Sequence, residues 1–145
     1  MHVYPQTQQE IFNTVVTHLY EQGMPSTSYE GCAYRSFATT DQGEKTLKCA
    51  VGVFLPDEFC EENIEGLDVG GLIDNFGSKM PPDLYEFLEI NHDLLKRLQE
   101  AHDGIDPTVG IDNHFLLHMT YIAKQHDLNQ TVLHTAHQNF IKNKR

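Results

Sequence analysis

His114 and His118 stand four residues apart, a spacing that puts both imidazoles on one face of a helix and is competent for a metal ion. A carboxylate or third imidazole from elsewhere, such as Asp112 or His126, would have to complete the set. The residues between them are Phe115, Leu116 and Leu117, so there is no H-E-x-x-H motif, and the bare pair reads as two ordinary histidines on an exposed helical face. Cys32, Cys49 and Cys60 lack any C-x2-C knuckle and read as small buried side chains rather than zinc ligands. A cysteine nucleophile would need a base at hydrogen-bond distance. No phosphate-binding G-x-x-x-x-G-K-[ST] loop and no G-x-S-x-G elbow is present. The expectation is a protein with no cofactor and no stoichiometric zinc, with His114 and His118 as the ligands if a metal were found.

His-Asp dipeptides occur at His92-Asp93, His102-Asp103 and His126-Asp127. Phosphohydrolases of the HD type use such a dipeptide as adjacent metal ligands, but inside a larger helical array of His and Asp. Near helix ends a structural role is the simpler reading. His102 lies four residues after Leu98, on the core edge, where a helix C-terminus favours a protonated imidazole. Arg35 sits between apolar and aromatic positions on a strand that should be half buried, so its guanidinium wants a carboxylate partner. Glu65 and Asp57 are the candidates, in an internal pair that locks the hairpin to the following loop.

These residues need elements to hold them. Thr7 and Glu10 form a T-x-x-E capping box, and Ile11, Phe12, Val15, Val16 and Leu19 share one helical stripe over about 8–22, closed by Gly23. Cys32 to Phe37 reads as a strand, Thr39 to Lys45 as the turn and Thr46 to Cys49 as the return strand. Ala50 to Leu55 is ambiguous between strand and short helix. Glu58 to Gly66 is a loop or one helical turn. Asp68 caps a short helix with Val69, Leu72 and Ile73, closed by Gly77. Pro81-Pro82 opens one long helix whose stripe runs from Leu84 through Phe87, Asn91 and Leu98 to Ala101. Asp112 caps the next helix, with Phe115, Met119 and Ile122 inward, and Asn129 caps the last, with Val132, Leu133 and Phe140. The fold class is therefore α+β and mostly α-helical, a small helical domain with one two-stranded β-hairpin.

The chain has 145 residues, 39% hydrophobic and 21% charged, which fits one globular domain over 1–145. No apolar run approaches the roughly 20 residues of a membrane span, and the first residues lack the basic and apolar regions of a secretory signal. An odd count of three cysteines then suggests free thiols in a reducing cytoplasm, although Cys32 and Cys49 could face each other across the hairpin. The formal charge of −11 repels nucleic acid, so no direct nucleic-acid binding is expected, and with no spanning run no membrane partner is expected either. It suits a basic partner, including a protein surface that itself holds nucleic acid. The acidity reads as spread out, with short clusters at Asp57-Glu58 and Glu61-Glu62, which are the expected partner-binding residues.

The most specific local pattern is Cys32-x-Tyr34-Arg35, then Lys48-Cys49-Ala50-Val51-Gly52, Pro56-Asp57-Glu58, Glu65-Gly66 and Leu98-Gln99-x-Ala101-His102-Asp103, in that order. Together these resemble a family of small phage and prophage proteins of unknown function, over about residues 8–128. The resemblance carries no catalytic residues. Cys32, Tyr34, Arg35, Cys49, Glu65, His102 and Asp103 are expected to be structural. The resemblance implies a setting, the cytoplasm of an infected bacterium, and a non-enzymatic acidic protein that inhibits or modulates a host factor, such as a nucleic-acid-binding defence protein. The alternatives are a small metal-dependent hydrolase using His and Asp residues of the C-terminal helices, and a homo-oligomeric structural or regulatory phage protein. Binding is favoured over catalysis because no catalytic constellation is recognisable.

Overall fold

The computed structural model describes residues 4–28, 31–41, 43–61, 64–65 and 67–143, without the side chains of Ser28, Cys32, Thr40 and Glu61. Helix α1 is Gln8–Gln22. The Thr7 hydroxyl accepts from the Glu10 N–H at 3.1 Å, and Gly23, at φ 77°, returns its N–H to the Leu19 carbonyl. Five apolar side chains of its inner stripe are at most 1% exposed.

Two short ladders follow. Strands β1 (Thr27–Ser28) and β2 (Gly31–Cys32) pair with each other, and β3 (Arg35–Thr40) pairs antiparallel with β4 (Gly43–Lys48). The hairpin thus begins three residues later than expected, and Cys32 faces Thr27 instead of Cys49, whose thiol is free. The cause lies at Ala33 and Tyr34. Ala33 gives its N–H to the Ser26 carbonyl, and Tyr34 gives its N–H to a Glu65 carboxylate oxygen. Those two residues cannot also donate to a strand partner. The turn is also tighter than expected, since Thr40 pairs with Gly43, whose φ of 105° suits glycine. The Ala50–Leu55 run resolves into a 3-10 turn, Gly52–Phe54.

Helix α2 is Val69–Phe76, capped by the Asp68 carboxylate on the Gly71 N–H at 2.7 Å. The single long helix expected after Pro81 is two: α3 (Pro82–Ile90) and α4 (His92–Asp103). They meet at Asn91. Its side-chain amide donates to the Phe87 carbonyl at 2.9 Å, competing with its own backbone N–H at 3.2 Å for the same acceptor. Such side-chain competition bends helices. Helix α5 (Asn113–Gln125) has Asp112 as its cap, accepting from the His114 and Phe115 N–H groups. Helix α6 (Thr131–Asn143) packs along α1. The architecture is a small, mostly helical α+β domain. No helix of the described residues is long and apolar enough to cross a membrane.

Glutamines tie the ends of α1 to the rest. Gln22 at one end accepts from the Lys48 N–H at 2.8 Å and donates to the Lys48 carbonyl at 3.0 Å, imitating a strand partner for β4. Gln9 does the same for Asn129 at the start of α6, at 2.7 and 3.0 Å. Between them His18 bonds the Lys48 carbonyl, and His137 of α6 bonds the Tyr20 hydroxyl at 2.9 Å. Burial, the leading cause in both, holds the His18 and His137 rings below the usual histidine range. The unfolded chain therefore binds these protons more readily than the native one. Their contribution is fully present above about pH 6.5, the ordinary histidine value, and is lost as pH falls below it. Carboxylates titrate mostly below that window. Melting temperature should drop between pH 7.5 and 5.5, and His18→Gln should flatten that dependence. A midpoint that rises on acidification over this range would contradict the sign.

Candidate functional site

The five motif segments that are far apart in sequence meet in one polar network. Arg35, at the start of β3, turns its guanidinium inward, and its side chain is 11% exposed. It donates to the carbonyls of Gly52 at 2.6 Å, Leu55 at 2.7 Å and Tyr34 at 3.2 Å, and to the Asp57 carboxylate at 3.0 Å. Arg35 is thus nearly buried and paired with Asp57, as the sequence predicts, but Asp57 is 83% exposed, so only the arginine end of the pair is internal. Backbone carbonyls accept most of its inward-facing N–H groups. Glu65 serves the other side of the same strand start, accepting from the Tyr34 N–H at 2.7 Å and the Arg35 N–H at 3.3 Å. The Tyr34 hydroxyl donates to the Leu67 carbonyl. Gly52 has no room for a side chain, because a Cβ there would stand 2.5 Å from the Tyr34 carbonyl oxygen.

Helix α4 supplies the far wall. Gln99 accepts from the Val51 N–H at 3.0 Å and donates to Asp103 at 2.8 Å. His102, fully buried, accepts from the Ser26 N–H at its Nε2 at 2.9 Å, while its Nδ1 lies 3.0 Å from the Asp103 carboxylate. A backbone N–H can only donate, so Nε2 carries no proton and Nδ1 donates to Asp103. The ring is neutral, against the protonated ring expected from the helix terminus. Ser26 continues the chain of bonds to Ser36 at 2.8 Å. Gln99 and Ser26 went unassigned in the sequence reading; Gln99 lay in plain view inside the L-Q-x-x-H-D segment.

This arrangement braces backbone. Both His102 nitrogens are occupied, so the ring offers no base to a nucleophile. The Cys49 thiol accepts from the Gly52 N–H at 3.2 Å, is fully buried, and is pushed by that burial up to about 12. It is held as a thiol at neutral pH. Iodoacetamide applied to the native protein should leave Cys49 unmodified by peptide mass spectrometry while reaching the half-buried Cys60. Alkylation of Cys49 at the rate of a free thiol would show that it is not buried in solution.

His114 and His118 do share a face of α5, His114 exposed and His118 half-buried. Among the described residues no three His, Cys, Asp or Glu side chains gather as a metal ion would need, so neither Asp112 nor His126 completes the pair. Asp112 is occupied as the helix cap.

The acidic side chains are less evenly distributed than their clusters suggest. Residues 49–95 hold eleven Asp and Glu against one basic side chain, Lys79, a net of −10, against −2 before and +1 after. Of those eleven, Asp57 and Glu58 are exposed, the Glu61 side chain and all of Glu62 lie outside the described residues, and the remaining seven, from Glu65 to Asp93, are all exposed. Helices α2, α3 and α4 pack on one another, which gathers much of this charge on one part of the molecule. A shallow groove of about 390 Å³ opens there between residues 4–6 and α3. Compared with protein-family models, curated proteins and solved structures, the chain matches none of them.

Proposed function

We propose that this is a non-enzymatic binding protein whose acidic middle third docks on a basic surface of a partner protein. The partner is a host factor, and a protein that itself handles nucleic acid fits best, because such proteins carry dense positive charge. The resemblance to small phage proteins supplies the setting, the cytoplasm of an infected bacterium. One observation carries the reading: nearly the whole net charge of the chain is confined to residues 49–95, and every described carboxylate there is exposed. The inward commitment of Arg35, Cys49 and His102 to structural bonds supports binding over catalysis. Charge of this density accelerates encounter with a cationic surface and rejects anionic ones.

Affinity capture from bacterial lysate, followed by salt elution, tests the reading. A partner should be retained at low salt and released as ionic strength rises past physiological, where the screening length is about 8 Å. Charge reversal at Glu61 and Glu62 should weaken capture without changing the melting temperature. A partner whose affinity ignores both salt and these reversals would sink the electrostatic model.

A further inference from the structure

We propose that the groove between the N-terminal segment and α3 receives a short segment of a partner protein in which a lysine or arginine stands beside a large apolar side chain. Asp83, Glu86, Phe87 and Ile90 follow one another at i, i+3, i+4 and i+7 along α3, so they form a single stripe. Phe87 is buried and stacks on the Tyr4 ring, centroids 4.9 Å apart, giving the groove an aromatic floor. Ile90 stands at the end of that stripe and is 69% exposed, the most exposed large apolar side chain described. Asp83 and Glu86 are exposed and line the same groove. Asp83 lies near enough to Tyr4 to reinforce the upward shift that burial imposes on its hydroxyl.

Charge complementarity selects the occupant. No lysine or arginine occurs between Lys79 and Lys96, so α3 carries acidic groups without a basic one in its own sequence. A cation is attracted there, and a nucleic acid or an anionic membrane surface is repelled. A bare cation would leave Ile90 in water; a basic residue beside an apolar one meets both the carboxylates and Ile90. A larger groove, about 570 Å³, lies between α1 and α6, but among the described residues Glu21 is the only charged one lining it, and nothing there selects a partner.

This inference rests on the acidic-docking reading above and narrows it to one site. The test titrates the full chain, followed by amide NMR shifts, with three synthetic peptides: lysines flanking a leucine, an all-lysine peptide of equal charge, and an uncharged leucine peptide. The lysine–leucine peptide should saturate with its largest shifts at Gln6, Glu86, Phe87 and Ile90, and bind about five-fold more tightly than either control. Asp83→Asn combined with Glu86→Gln, and separately Ile90→Ser, should each weaken it about five-fold. All three positions are exposed, and unchanged melting temperatures would show that the fold is retained. Shifts centred elsewhere, equal binding of the all-lysine peptide, or no shift would overturn the groove. If lysate capture stays sensitive to salt and to reversal at Glu61 and Glu62 while the groove is silent, the groove falls and the wider reading stands.

Discussion

Arg35→Ala should destabilise the protein by about 3–5 kcal/mol, while Asp57→Ala should cost less than about 1 kcal/mol. The asymmetry follows from where the two ends of the pair sit. The Arg35 side chain is nearly buried and satisfies three backbone carbonyls, of Gly52 and Leu55 in the tight turn that follows the hairpin and of Tyr34 just before it. Truncation orphans those acceptors, at about 1–3 kcal/mol for each one that water cannot reach. Asp57 is 83% exposed, and its carboxylate is hydrated with or without the guanidinium. Arg35→Lys should fall between, because an ammonium has three donors but no planar fork to reach carbonyls on two sides. Urea unfolding followed by circular dichroism measures all three. Equal losses in Arg35→Ala and Asp57→Ala would mean that the ion pair, not the carbonyl cage, holds the turn.

His102→Ala should cost about 3–4 kcal/mol, made up of an orphaned N–H and a cavity. The ring is completely buried and provides the acceptor for the Ser26 N–H, in the loop that carries β1. Without it that donor has no route to solvent. His102→Phe separates the two parts, since it fills the space and offers no acceptor; it should still lose about 1–3 kcal/mol. A phenylalanine variant as stable as the parent would show that His102 acts by volume alone, and that the bond to Ser26 is incidental.

These two residues show where sequence reasoning reaches and where it stops. Arg35 was legible as a charge on a half-buried strand in need of a partner, and both named candidates, Asp57 and Glu65, lie against it. Its further partners, beside Asp57, are carbonyls, which every residue carries and which no sequence pattern marks. His102 was legible as a core-edge residue, but its neutral state depends on a backbone N–H 76 positions away in sequence. The acidic concentration in residues 49–95 is readable by counting along the chain, and the short clusters at Asp57-Glu58 and Glu61-Glu62 are only part of it.

The sequence by itself determined the helices, their caps and their buried faces, because capping at Thr7, Asp68 and Asp112 and the 3.6-residue stripes are interactions between near neighbours. It determined the fold class for the same reason. Only the tertiary structure decided the hairpin register and the groove over Phe87. In the hairpin, Glu65 and Ser26 claim N–H groups that a strand partner would otherwise take. The break at Asn91 is local, since its side chain bonds the Phe87 carbonyl one turn back, but the helical spacing continues across it and no proline or glycine marks it. In the groove, Tyr4 and Phe87 are 83 positions apart, and their contact exists only after the chain has closed on itself.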